Sequence, residues 1–386
     1  MGQKKNNIVI TAGVRTAIGT FKGSLKDIKG HELGAIVISE VLKKSKIKSG
    51  DVDEIIMGQV LTGGAGQNPA RQAAMKAGIS ASKTAYVINQ VCGSGLRSVA
   101  SGYQTILTND AKIVIAGGQE SMSNANHVIN IRGGKQLVQS EAEDTMIKDG
   151  LWDAFNNYHM GITAENVANK WKITRDDQDN FALTSQSKVQ RAVKEGKFKE
   201  EIVGMLFEDE HPRKDVTKET LSKLQPAFKK SGTVTAGNSS GINDGAAAVV
   251  LMGEDEANKR GIVPMGNIVS WATCGVDPSL MGTGPIPASK KALEKANWIV
   301  KDLDLVEVNE AFASQSIAVI RDLKIPFEKV NVNGGAIALG HPIGASGTRV
   351  LVTLLHEMKK RDVKKGLATL CIGGGMGIAM CIERKT

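Results

Sequence analysis

The chain has 386 residues, enough for two or three domains around a sizeable core. Hydrophobic residues make up 41% and charged residues 23%, a balance that excludes disorder of the whole chain. The net charge of +9 admits a phosphorylated small molecule as partner, but the basic residues are scattered, with no dense run interleaved with aromatics, so nucleic-acid binding is not expected.

In chain order, residues 8–11 read as a first strand, and residues 31–42 show helical periodicity with Leu33, Ile36, Val37 and Val41 on one face. A buried strand follows over 53–61, and a helix over 68–77 after a glycine-rich turn. Then come a strand over 85–91, a helix over 95–107 and a strand over 111–116. This alternation predicts βαβ units and a largely parallel sheet. From Ser121 to about residue 230 the chain is more charged and reads as helices and loops, including a helix opened by Thr174-Arg175-Asp176-Asp177. Strands over 246–252 and 267–274, a helix over 288–296 and a strand over 303–308 resume the strand–helix pattern. A helix over 347–358 and two strands around Cys371 and Met380 finish the chain.

The two halves read as distant copies. Residues 89–95, a helix and Ile113 to Gly118 form one unit; residues 331–347, a helix and Thr369 to Gly374 form the other. Residues 53–60 likewise resemble 304–309. A duplicated chain is expected to carry one site between two like domains. Glycine is abundant, 43 residues, and aromatics are only 4%, so aliphatic side chains must build the core around many close backbone approaches.

Four cysteines, Cys92, Cys274, Cys371 and Cys381, show no CxxC spacing and no disulfide framework, which points to a reducing compartment. Met1 to Asn7 is polar and lacks the apolar stretch of a signal peptide. The least charged segment of the tail, 367–382, has 16 residues, short of the ~18–20 that span a bilayer. A soluble cytoplasmic protein without a membrane partner is expected.

Cys92 lies between a predicted strand and a helix. A thiol at a helix N-terminus meets the positive end of the macrodipole, which favours thiolate. A buried structural cysteine is the commoner fate of a free thiol, so suitable partners must decide. His341 sits in Asn333-Gly334-Gly335-Ala336-Ile337-Ala338-Leu339-Gly340-His341-Pro342-Ile343-Gly344, a setting bare of bulky neighbours. A Cys–His pair is the minimum for an activated thiol. His31, His127, His211 and His356 have polar neighbours and read as surface or capping residues. Cys371 ends an apolar strand before Gly373-Gly374-Gly375-Met376-Gly377; a second thiol there suits general acid/base work. That glycine run is no dinucleotide loop, because too little chain follows it. Asn309 can hold a water or donate to an oxyanion. Glu310 beside it is either part of this polar region or a carboxylate complementing a helix N-terminus.

Read together, these segments resemble the thiolase family over essentially the whole chain. The nucleophile segment matches residues 89–96, the Asn-Glu-Ala-Phe-Ala motif 309–313, the Gly-His-Pro-x-Gly-x-Ser-Gly motif 340–347, and the Cys-x-Gly-Gly-Gly-x-Gly motif 371–377. The resemblance implies an α/β duplicated thiolase fold in five layers, α-β-α-β-α. It implies an N-terminal domain over 1–262, containing an inserted loop domain over 121–244, and a C-terminal domain over 263–386.

The resemblance also implies roles. Cys92 is acylated, and His341 activates it. His341 with a water held by Asn309 forms one oxyanion hole, and the N–H groups of Cys92 and Gly373 form the other. Cys371 shuttles the proton of the attacking acetyl group or the leaving coenzyme A. Residues 233–244 resemble the coenzyme A loop, with Ser240 and Arg213 as contacts. Tyr158-His159-Met160-Gly161 and Met281-Gly282-Thr283-Gly284-Pro285 resemble the acetoacetyl-CoA branch. Met160, Met281 and Phe312, with His159 beside them, are expected to wall a short acyl slot. The implied activity is acetyl-CoA C-acetyltransferase, joining two acetyl-CoA into acetoacetyl-CoA plus CoA and running the reverse thiolysis. The alternative is a longer-chain 3-ketoacyl-CoA thiolase of fatty-acid β-oxidation. No metal and no permanently bound cofactor is expected; coenzyme A thioesters are the substrates. A homo-oligomer is expected, a dimer of dimers, because residues 123–145 resemble the segment that pairs dimers in tetrameric members.

Overall fold

The computed structural model describes residues 7–131 and 142–385. Part of the segment expected to pair dimers, residues 132–141, lies outside the described residues, as do residues 1–6 of the polar N-terminus.

The first half runs β1 (Ile8–Thr16), α1 (Gly30–Ser45), β2 (Glu54–Gly58), α2 (Pro69–Lys76), β3 (Thr84–Ile88), α3 (Ser94–Leu107) and β4 (Ile113–Ser121). The inserted segment carries α4 (Met160–Lys170) and α5 (Arg175–Lys194) before the chain returns as β5 (Asn243–Gly253). Thr174 caps α5 as expected: its hydroxyl accepts from Asp177 N at 3.1 Å, and the Asp177 carboxylate accepts from Thr174 N at 2.9 Å. The second half runs β6 (Gly266–Gly275), α6 (Pro285–Ala296), β7 (Leu305–Val308), α7 (Ala313–Leu323), the single turn α8 (Ala336–Leu339), α9 (Ser346–Arg361), β8 (Lys365–Ile372) and β9 (Met376–Glu383).

From the seam outward, strand order is β1-β5-β4-β2-β3 in one half and β6-β9-β8-β7 in the other. The first four strands of each order follow the same path, with β3 added at the edge of the first half, so the duplication read from the sequence is present in three dimensions. A hydrogen-bond detail repeats as well. Asp53, before β2, accepts from Lys112 N and Ile113 N at 2.8 and 3.1 Å. Asp304, before β7, accepts from Lys364 N and Lys365 N at 3.0 and 2.8 Å. The halves join edge to edge where Val9 pairs Asn267 and Ile10 pairs Gly266.

The sheet is mixed, not largely parallel. Only β2–β3, β2–β4 and β7–β8 are parallel among these strands; the other neighbours are antiparallel. In the second half β8 and β9 are joined by the short glycine turn after Ile372, and a connection that short can only form a hairpin; in the first half β5 returns antiparallel after the inserted segment.

Five layers follow from where the side chains go. Ile55, Met57, Ile115 and Val250 pack under α1 and α2 on one outer face. Their neighbours Ile56, Val114, Val249 and Leu251 point the other way, onto α3 and α9. Leu370, Ile372 and Met380 reach the same central layer from the second sheet. Val306, Val308, Leu367 and Ala379 face α6 and α7 on the far outer side. Strands buried on both faces explain the continuous apolar runs in the sequence.

The central layer also explains part of the glycine content. A Cβ at Gly347 would stand 2.2 Å from Leu96 N, and one at Gly95 would stand 2.7 Å from Thr348 N. The first turns of α3 and α9 therefore touch backbone to backbone, which brings their N-termini to one place.

Candidate active site

Cys92 follows Val91, which holds φ at 45°. A β-branched residue there is strained by about 1–3 kcal/mol. Asn89 Oδ1 accepts from Val91 N at 3.0 Å, and Ser94 Oγ donates to Val91 O at 2.6 Å, so the turn is clamped from both sides. The thiol is half-buried at the start of α3. Burial pushes its pKa up to about 11, against the lowering effect of the N–H groups of Gly373 and Cys92 itself. The expectation of a standing thiolate is thus corrected. Desolvation outweighs the helix terminus, so the resting thiol is neutral and needs a base.

His341 supplies one. Burial, and then the charge of Arg349, lower its pKa to about 3, so the imidazole is neutral near pH 7. Ser346 Oγ donates to Pro342 O at 2.9 Å and must accept from His341 Nδ1, which it faces. That fixes the tautomer, and leaves Nε2 unprotonated and facing Asn309 Nδ2 at 3.5 Å. Backbone ties hold the loop: His341 N donates to Asn243 Oδ1 and Gly344 N to Glu120 Oε2, each at 2.9 Å. Asn309 is wholly buried, with its N–H on Thr369 O at 3.0 Å. Its Oδ1 has no protein partner among the described residues, as a group that receives a water or substrate donor would.

Cys371 ends β8 in full burial, which pushes its thiol well up, with the neighbouring Cys92 adding to the effect. It shares one apolar cluster with Met160, Met281, Phe312 and Ala311. His159 stacks on Phe228 at 4.6 Å, and Phe228 meets Phe312 edge-on at 6.1 Å. Met160, Met281 and Phe312 thus lie together beside the second thiol, with Phe228 between Phe312 and His159. The loop over residues 233–244 is sewn to the Asn309 motif, with Ser240 N on Ala311 O at 3.0 Å and Ala313 N on Asn238 O at 2.9 Å. Arg213 is exposed, and its guanidinium lies 3.4 Å from Ala236 O in that loop.

Two structural readings are corrected. His356 is buried, not superficial, and its Nε2 lies 3.0 Å from Gly13 O in the other half; α9 is enclosed between two sheets, so even its polar face meets protein. Glu310 does serve a helix N-terminus, but not that of the following α7. Its carboxylate accepts from Ile337 N in α8 at 3.2 Å, from Ser185 at 2.7 Å and from Asn331 at 2.8 Å.

Sequence reasoning missed Glu120 and Phe228. Glu120 accepts from Val60 N, Leu61 N and Gly344 N, tying the His341 loop to the first half, and burial raises its pKa to about 7. An acid at the end of an apolar strand was the available signal. Phe228 stands among lysines and carried none.

Two domain signatures match the sequence: thiolase N-terminal domain over residues 8–255 and thiolase C-terminal domain over residues 262–384. The chain belongs to the thiolase family. It is 60% identical to an acetyl-CoA acetyltransferase of Rhizobium meliloti (strain 1021), across 98% of this chain and 99% of that one. It is 59% identical to the acetyl-CoA acetyltransferase of Shinella zoogloeoides, across 97% and 98%. The crystal structure of the Bacillus anthracis acetyl-CoA acetyltransferase superposes with a TM-score of 0.96 at 43% identity, covering 98% of this thiolase and 99% of that chain. No helix among the described residues of this thiolase is long and apolar enough to cross a membrane.

Proposed function

We propose that this thiolase is an acetyl-CoA C-acetyltransferase, condensing two acetyl-CoA into acetoacetyl-CoA and CoA, and catalysing the reverse thiolysis. One observation carries the reading: Cys92 and Cys371 are neighbouring thiols, and Cys92 packs on the apolar cluster that holds Ile343 of the His341 loop.

The steps balance with these groups alone. Cys92 Sγ attacks the thioester carbonyl of the first acetyl-CoA while its proton passes to His341 Nε2. The C–S bond to CoA breaks, and the leaving thiolate takes the proton of Cys371. The Cys371 thiolate, strongly basic in its apolar cluster, then removes a proton from the acetyl carbon of a second acetyl-CoA. That carbanion attacks acetyl-Cys92, the C–C bond forms, the acyl C–S bond breaks, and Cys92 recovers its proton from His341. The N–H groups of Cys92 and Gly373 serve one oxyanion; His341, with Asn309 through a water, serves the other. Arg213 and Ser240 bind the coenzyme A body, and His159, Met160, Met281 and Phe312 border the acyl group.

The domain limits proposed are 1–262 and 263–386, with the inserted segment in the first. The enzyme works in the cytoplasm as a homo-oligomer; four free cysteines support the first, and the open edge strand β3 supports pairing with a second copy. Acetyl-CoA alone should place one acetyl group on the Cys92 peptide, and Cys92→Ala should abolish it. An acetyl group on Cys274 or Cys381 instead overturns the assignment.

A further inference from the structure

Ser346 fixes the His341 ring only against its own loop, because Ser346 and its acceptor Pro342 O both belong to that loop. The loop itself must still be placed against the first half, which carries Cys92. At its far end that is done several times over. Gly344 N donates to Glu120 at 2.9 Å, and a Cβ at Gly58 or Gly95 would stand 2.8 or 3.0 Å from Gly344 O. At its near end, residues 340–342, one hydrogen bond reaches the first half among the described residues. It runs from His341 N to Asn243 Oδ1 at 2.9 Å.

Asn243 opens β5 and is wholly buried. Both ends of its side-chain amide are spent on distant backbone. Oδ1 takes the His341 N–H, 98 positions away, and Nδ2 donates to Gly19 O at 2.9 Å, 224 positions away. The amide is anchored in turn by the sheet: Asn243 pairs with Thr20, and Asp244 pairs with Gly19 and Ser121. Two glycines make room for it. Gly340 holds φ at 105°, in the region that favours glycine, and a Cβ there would stand 2.5 Å from Asn243 Cγ. A Cβ at Gly241 would stand 2.8 Å from Asn243 Oδ1. Gly241 belongs to the loop over 233–244, so one amide touches the sheet, that loop and the residue that carries the imidazole. Shortening this side chain leaves the His341 N–H buried without a partner, and the backbone must shift to find one.

We propose that Asn243 is a positioning residue for the base: its side-chain amide fixes the His341 backbone against the half that carries Cys92, and so aims the imidazole at the thiol. Ser346 sets how the ring is turned, and Asn243 sets where it stands. The inference rests on the reading of Cys92 and His341 as nucleophile and base.

The test is a double-mutant cycle on the single-turnover acetylation of Cys92 by acetyl-CoA, followed by mass in proteins shown to be folded. His341→Ala should slow the saturating rate by roughly 10²–10⁴. Asn243→Ala should slow it by roughly 10- to 100-fold, the loss that follows a misplacement of about 1 Å. The half-saturating acetyl-CoA concentration should stay near wild type. In the His341→Ala background, Asn243→Ala should slow acetylation no further, because a residue that acts only through the imidazole has nothing left to position. Asn243→Ser, too short to reach His341 N, takes the place of the alanine variant if that one does not fold. An Asn243 variant with the wild-type saturating rate overturns the proposal. So does a further fall in the double variant, or a loss confined to half-saturation, since either makes Asn243 a structural or coenzyme A-binding residue instead. If His341→Ala itself acetylates at the wild-type rate, the reading of the site fails and the inference falls with it.

Discussion

Met281→Ala tests how the wall beside Cys371 sets chain length. Met281 is 3% exposed, and Met160 and Phe312 are 8% exposed, so the slot they border is filled by protein. 3-Ketohexanoyl-CoA carries two methylenes more than acetoacetyl-CoA. Forcing them into a filled slot costs about 1–3 kcal/mol, roughly 5- to 150-fold in thiolysis efficiency. The alanine variant opens space for both. Each methylene that finds apolar room contributes about 0.8 kcal/mol, so two contribute about 1.6 kcal/mol, roughly fifteenfold. The ratio of kcat/KM for the four-carbon over the six-carbon substrate should fall by at least that factor. The variant should also lose about 2–5 kcal/mol of stability, so the comparison is made on protein shown to be folded. A wild-type enzyme that cleaves both substrates equally well would refute the short-chain reading. A Met281→Ala ratio equal to wild type would refute the wall.

Cys371→Ala should leave acetylation of Cys92 measurable by mass while condensation falls by roughly 10²–10⁴; an equal fall in both half-reactions would contradict the division between the thiols. Gly347→Ala places a Cβ against the backbone of Leu96 and Gly95, at 2.2 and 3.0 Å, and should lower the unfolding free energy from urea titration by more than the ~1–3 kcal/mol of ordinary overpacking. Gly50→Ala, with nothing within 4 Å of its Cβ, is the neutral control. His211 has its pKa lowered from 6.5 to about 4, first by burial and then by Arg213. The unfolded chain therefore binds a proton that the folded one refuses, and stability declines as pH falls from 6.5 towards 4. His211→Gln should flatten the fall in Tm across that window; an unchanged slope would remove His211 as a contributor.

Much of this was legible because the residues concerned are constrained locally. The strand–turn–helix around Cys92, the bare loop around His341 and the Thr174 cap depend on neighbours in sequence. The repeat was visible because the same short segments recur in the same order, and the structure repeats one of their long-range bonds, Asp53 and Asp304 each capping the start of a partner strand about 60 residues on. What escaped depends on partners distant in the chain. Strand direction could not be read, because β5 reaches its place only after the inserted segment. The neutral state of Cys92 is set by how deeply the second half covers it, which no motif records. His356 looked superficial among charged neighbours, yet the residue that fixes it, Gly13, is 343 positions away.

The middle layer has a consequence for how the chain matures. Leu96 and Val99 of α3 share one apolar cluster with Leu351 and Leu354 of α9, so the first sheet cannot cover its inner face until the last 41 residues of the sequence have begun to arrive. During synthesis the early half must wait with a greasy surface in the open, a state that invites chaperones and punishes pausing. The same dependence protects the cell. A product truncated before His341 carries Cys92 but not the imidazole, so such a fragment has no base for its nucleophile. Folding is then expected to proceed as a single cooperative event, with reactivity switched on only at its end.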